Sequence, residues 1–103
     1  MPSEIQHLVF IQFKAQLRDS EIQAVKQAAY KLREIEQVQK LEFRENSSPE
    51  NLSQGFSHCL LMSFQNEQAR DVRYLPHPIH QDFVAFLVPL TQQIMVFDYL
   101  KET

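Results

Sequence analysis

Apolar and polar residues alternate from the first strand-length window of the chain. In IQHLVFIQFK, residues 5–14, Ile5, His7, Val9, Ile11 and Phe13 share one side, and Leu8 and Phe10 add apolar groups to the other. A period of two predicts a β-strand, and apolar residues on both sides call for cover on both faces. The period then lengthens. In RDSEIQAVKQAAYKLREIEQ, residues 18–37, Ile22, Val25, Ala29 and Leu32 form one stripe with Ala28 and Ile35 beside it. Lys26, Lys31, Arg33 and Glu34 lie mostly off that stripe, so the segment predicts an amphipathic helix. Asp19 or Ser20 is placed to cap it, with Ser20 and Gln23 at capping-box spacing. VQKLEFRE, residues 38–45, alternates again, Leu41 and Phe43 against Lys40, Glu42 and Arg44, and its polar side suggests an edge strand or one that meets water.

In the loop NSSPENLSQG, Ser48-Pro49 can open a helical turn, and Gly55, the one glycine of the chain, closes it. FSHCLLMSF, residues 56–64, predicts a third strand with Phe56, His58, Leu60, Met62 and Phe64 on one face and Cys59 and Leu61 on the other. NEQARDVRYL predicts a short helix stopped by Pro76, and HPIHQDFVAFLVPLTQQ a longer one. In the latter Pro78 sits in the first turn, Ile79, Phe83, Leu87 and Leu90 form the stripe, and Pro89 loosens the end. IMVFDYLK closes the pattern as an apolar strand.

The order strand, helix, strand, strand, helices, strand is that of two split βαβ units. It predicts an α+β, ferredoxin-like βαββαβ plan, a four-stranded antiparallel sheet with helices on one face. A length of 103 residues fits one domain, residues 1–103. Helices on one face leave the other open, with Leu8, Phe10, Leu61 and the aromatic residues of the last strand upon it. Such a patch marks an interface. Two copies packed face to face would form a homodimer with a central α/β barrel and complete the core of a short chain.

Composition narrows the partners. Ten Lys and Arg are scattered among thirteen Asp and Glu, for a net charge of -3, so neither nucleic acid nor an anionic membrane surface is expected as a partner. No apolar run approaches the length of a membrane span. MPSEIQHLVF lacks the positive and apolar regions of a secretory leader, and Cys59 stands alone. A reducing, cytoplasmic setting is therefore expected. No cofactor or metal is expected either. A single glycine builds no phosphate loop, HPIH has no acidic third ligand fixed nearby, and a lone cysteine cannot supply a thiolate zinc site. Cys59 also lies on the opposite strand face from His58, against a Cys–His nucleophile pair.

HLVFIQFK, SPENLSQGFSH, YLPHPIHQDFVAFLVPL and the closing VFDY together resemble the stress-responsive dimeric A/B barrel (Dabb) family, from His7 to Tyr99. The resemblance implies a ferredoxin-like protomer in a homodimer. Members of that family include small heat-stable or stress-induced proteins and the plant olivetolic acid cyclase, which closes a linear polyketide thioester by intramolecular aldol condensation. The site residues of that enzyme match His7, His58, Tyr74 and His80 here, and a small apolar or polyketide-like ligand follows as an expectation.

Strand parity turns His7 and His58 toward the helices, and His80 enters from the first turn of the last helix, so these groups and Tyr74 are expected to line a small-molecule pocket between sheet and helices. The chemistry such a set can perform is proton removal next to a carbonyl, with His80 as base, Tyr74 donating to the developing oxyanion, and His7 and His58 orienting. A helix N-terminus favours the neutral imidazole that a base requires. Each residue also has a purely structural reading: His7 and His58 as core histidines, His77 as a cap between prolines, Tyr74 as packing. Three functions from different classes follow: a dimeric stress-associated domain that binds or stabilises without turnover, a polyketide cyclase or aldol-type lyase, and, by analogy of fold alone, a cofactor-independent oxygenase.

Overall fold

A computed structural model describes residues 4–102; the first three residues of the stretch weighed above as a leader lie outside them. The elements follow the predicted order: β1 (Ile5–Phe13), α1 (Asp19–Lys31) ending in a 3-10 turn (Leu32–Glu34), β2 (Lys40–Glu45), β3 (His58–Phe64), a wide helical turn (Ala69–Tyr74), α2 (Pro78–Leu87) ending in a second 3-10 turn (Val88–Leu90), and β4 (Thr91–Leu100). The sheet runs β2-β3-β1-β4 with every neighbouring pair antiparallel. This is the ferredoxin-like α+β arrangement.

The core lies between the sheet and the two main helices. Ile5, Val9, Ile11 and Phe13 of β1, Leu60, Met62 and Phe64 of β3, and Leu41 and Phe43 of β2 meet Val25 and Ala29 of α1, then Leu32 and Ile35, and Phe83 and Leu87 of α2. The alternation predicted for β1 and β3 is what brings these residues to one side. On the outer side Leu8, Phe10, Cys59 and Leu61 are only half-buried, and Met95, Phe97 and Tyr99 are exposed. The helices stop short of β4: Val96 pairs with buried Val9 on the helix side, yet it is 57% exposed.

Local details differ from the sequence pattern for identifiable reasons. The α1 cap is Arg18, in extended geometry, and its amide donates to Glu21 Oε1 at 3.0 Å. Asp19 thereby falls inside the first turn, where a negative charge suits the helix dipole. No helical turn forms at Ser48-Pro49. Asn46 Oδ1 accepts from the Ser48 amide (2.8 Å) and Ser48 Oγ from the Glu50 amide (3.3 Å), so side-chain turns take up the backbone instead. Phe56 does not share the face of His58. Gln54 (φ 58°) and Gly55 (φ 89°) turn the chain before pairing begins at His58, so strand parity does not extend back to Phe56. Its ring lies 6.2 Å from that of Phe10, an outer-face residue. β4 begins three residues before the predicted start, at Thr91. Gln93 Nε2 there donates to Gln12 Oε1 and to the Gln54 carbonyl, each at 2.8 Å, which ties the loop to the end of the sheet.

Candidate functional site

His7 occupies the helix-facing side of β1, opposite Met62 on one neighbour and Asp98 on the other. The cross-strand partner is in contact: His7 Nδ1 lies 2.7 Å from Asp98 Oδ1. An ionised carboxylate only accepts, so Nδ1 carries the proton and, in the neutral ring, Nε2 carries the lone pair. The second oxygen of Asp98 accepts from Arg70 Nη1 at 3.0 Å, and the same guanidinium reaches both oxygens of Asp71 at 2.8 and 3.3 Å. Around His7 the rings of Phe64 and Tyr74 stand edge-on, each with its centroid 5.9 Å away. His7 is 6% exposed and Tyr74 1%.

His80 reaches this cluster from the first turn of α2. Pro78 begins that helix with its missing N–H at no cost, and the His77 Nδ1 accepts from the Ile79 amide at 3.1 Å, so His77 is the cap. His80 Nδ1 lies 2.8 Å from the Leu75 carbonyl. A carbonyl has no proton to give, so Nδ1 donates and the Nε2 of the neutral ring is the free base. The His80 ring centroid is 4.4 Å from that of Tyr74, and the side chain is half-buried, so it forms the accessible rim of the cluster. The wide turn Ala69–Tyr74 supplies the remaining parts. Its Leu75 amide bonds to the Arg70 carbonyl, five residues back, at 2.9 Å. This π-type winding carries Arg70 and Tyr74 to the same centre.

Burial pushes the His7 imidazole below its ordinary value; Asp98 pulls the other way, while His80 and Arg70 reinforce the lowering. Tyr74 is pushed well up, by burial first and by the Asp98 charge second, so its phenol stays protonated and remains a donor. His58 is also lowered by burial, against a weaker pull from Glu45. Both histidines thus titrate lower in the folded chain than the ordinary 6.5 of an unfolded one. Below 6.5 the unfolded chain binds more protons, so stability is full above that pH and falls as the pH drops through it toward the folded midpoints. Thermal unfolding at fixed protein concentration is expected to show a lower Tm at pH 5.5 than at pH 7.5. His7→Gln, which keeps a donor for Asp98, should flatten the difference; an equal loss in both proteins would refute the assignment to His7.

The structure brings together three of the four residues singled out by the resemblance: His7, Tyr74 and His80. His58 lies apart. It pairs with Ile11, four residues along β1 from His7, which places it roughly 13 Å away along the strand. Its ring stacks on Phe43 (5.4 Å) and meets the edge of Phe13 (5.1 Å), and its Nδ1 is 2.7 Å from Ser57 Oγ. His58 borders a different space, an outer-face groove of about 400 Å³ whose lining includes the apolar Phe10, Leu52, Phe56 and Met95 and the charged Arg44 and Glu45. Beside His7 the room is occupied by the rings of Phe64 and Tyr74.

Asp98 and Arg70 complete the cluster and were missed by sequence reasoning. Asp98 had a signal. It is the only charge within the apolar run IMVFDYL, and antiparallel pairing of β4 with β1 puts it across from His7. Among the described residues, no group of three or more His, Cys, Asp or Glu is arranged to hold a metal ion. Among them too, no helix is long and apolar enough to cross a membrane.

A β2-β3-β1-β4 antiparallel sheet with both main helices on one face defines a ferredoxin-like α+β domain, here with a histidine–tyrosine–carboxylate cluster under its helices. The stress responsive A/B barrel domain (Dabb) matches residues 5–101, and the chain belongs to this family. The stress-response A/B barrel domain-containing protein At5g22580 of Arabidopsis thaliana is 31% identical over 98 residues, covering 94% of this chain and 86% of the relative. A Dabb family protein of Mesorhizobium loti with a ferredoxin-like fold superposes with a TM-score of 0.81 at 27% identity, covering 98% of this chain and 99% of the other. A hydroxynitrile lyase from Passiflora edulis superposes with a TM-score of 0.89 at 22% identity, covering 99% and 96%, a likeness of fold. Other neighbours, among them a protein of Thermobifida fusca (TM-score 0.82, 15% identity, covering 98% and 93%), are dimeric ferredoxin-like proteins.

Proposed function

We propose that the chain acts as one domain in a cytoplasmic homodimer and that its cluster transfers a proton next to a carbonyl group, the step shared by aldol-type cyclases and lyases. One observation carries the reading: His80 Nδ1 is tied to the Leu75 carbonyl, which leaves Nε2 as a base at the accessible rim, against a buried Tyr74. His80 Nε2 takes the proton from the carbon beside the carbonyl. The electron pair of that C–H bond moves toward the carbonyl oxygen, where the Tyr74 hydroxyl donates to the growing negative charge. The imidazolium then returns its proton to the product as the carbon–carbon bond forms or breaks. Arg70 is engaged by two carboxylates, which favours an uncharged carbonyl substrate over an anionic one. The resemblance to a polyketide cyclase and the lyase among the fold's members agree with this chemistry. Incubation with neutral β-polyketone thioesters in D2O tests it, read as deuterium entering the α-carbon above the protein-free rate. The absence of exchange with every carbonyl compound tried would sink the proposal.

A second reading, a dimeric domain that binds or stabilises without turnover, draws on the filling of the space beside His7 by Phe64 and Tyr74. Both readings share the homodimer. It is supported by the open outer face, where Phe97 is 56% exposed, and by the dimeric neighbours. Phe97→Asp is expected to convert a dimer into a folded monomer or a much weaker dimer, since it sets a charge at the centre of an apolar interface. Sedimentation over a dilution series measures this, and a wild-type chain that remains monomeric at high concentration would remove the dimer.

A further inference from the structure

The ion pairs behind His7 have a direction. Arg70 lies in the wide turn Ala69–Tyr74, Asp98 on β4 and His7 on β1, so three separate elements meet through two contacts of 3.0 and 2.7 Å. We infer that Arg70 is a positioning residue of the cluster: through the Asp98 carboxylate it fixes which nitrogen of His7 holds the proton and keeps that ring uncharged beside Tyr74 and His80. The inference deepens the proton-transfer reading and rests on it for its functional meaning.

The argument is electrostatic and geometric. A carboxylate alone beside a buried imidazole favours the imidazolium. Here Asp98 is shared, one oxygen for His7 and the other for Arg70, so its pull on His7 is divided. The guanidinium adds its own repulsion of a positive ring. The other groups facing His7 act in known directions: His80, from α2, opposes a second positive charge, and Tyr74 presents a neutral phenol. Asp71 lies beyond Arg70 and holds the guanidinium from its exposed side. The contacts would then serve to keep the His7 imidazole protonated at Nδ1, with a free Nε2, beside the Tyr74 phenol.

The test is a histidine ring titration by two-dimensional NMR on the full chain, which needs no substrate. Arg70→Gln removes the charge and keeps a donor for Asp98. It is expected to raise the His7 midpoint by about half a pH unit or more, roughly a threefold gain in protonated ring at a fixed pH, with His77 unmoved as an internal reference. Arg70→Lys, which restores the charge, should stay near wild type. A His7 midpoint that does not rise in Arg70→Gln, a parallel shift of His77, or a lysine variant that behaves like glutamine would each overturn the inference. Should Arg70→Gln not fold, Asp71→Asn serves: it leaves Arg70 to Asp98 alone and should lower the His7 midpoint, and a rise would overturn the inference. Missing turnover would remove the proposed reaction but leave this titration as it stands, so the two can fail separately.

Discussion

Phe64→Ala is expected to reduce the unfolding free energy by about 3–5 kcal/mol, the range for a fully buried ring cut back to a methyl group. Phe64 has no exposed surface and pairs with Ile5 in the central ladder of the sheet. Its ring lies 4.7 Å from that of Tyr74 and 5.9 Å from that of His7. The rigid strands on which it sits cannot close over the space left behind, so the lost packing adds to the lost burial. Chemical denaturation at one fixed protein concentration measures the change, because stability and assembly are linked in an oligomer. Val72→Ala, at an exposed site, is the reference and should stay within about 0.5 kcal/mol of wild type. A Phe64→Ala loss no larger than that of Val72→Ala would show that the ring carries no packing load. In the same variant water gains access to His7, so its midpoint should move back up toward the ordinary value, a local signature that general destabilisation does not supply.

His80→Ala is expected to lower kcat for α-proton exchange by about 10²–10⁴-fold, the span usual for removal of a general base, with a smaller effect on KM. The fold should tolerate this change. The carbonyl that His80 holds, that of Leu75, also accepts from Gln81 Nε2 at 2.8 Å, so it keeps a partner when the imidazole is gone. Tyr74→Phe keeps the ring and removes only the hydroxyl. A loss of about 10²–10³-fold there would match removal of one donor to an oxyanion. If turnover exists and survives His80→Ala unchanged, the base is another group.

Much of the fold was legible because it depends on period. The alternation in IQHLVFIQF and HCLLMSF put Ile5, His7, Val9, Leu60 and Met62 on the helix side, where the core is. The open outer face followed from counting helices against sheet faces. What period cannot carry was less legible. Phe56 left its assigned side because two positive-φ residues precede the strand, and the cap of α1 moved to Arg18 because a Glu21 side chain, not a Ser20 hydroxyl, found the free amide. In the site, Tyr74 and His80 adjoin because seven residues of turn and helix start join them. His7 and Asp98, 91 residues apart, meet only through strand register. His58 matched by motif but stands at the far end of its strand, a distance that residue type alone does not encode.

The π-type winding at residues 69–74 makes the length of that segment matter as well as its composition. A π turn holds one residue more than the α-helical turn it replaces. Removing a single residue there would let the backbone relax to ordinary α-helical spacing, which leaves the flanking segments nearly in phase but redistributes the residues inside the turn around its axis. Arg70 and Tyr74 would then no longer keep the spacing that turns both toward one centre, and the contact of Arg70 with Asp98 would be disturbed although no residue of the cluster had been changed. A one-codon deletion thus reaches the Arg70–Asp98–His7 contacts from outside them, through the winding of the chain alone.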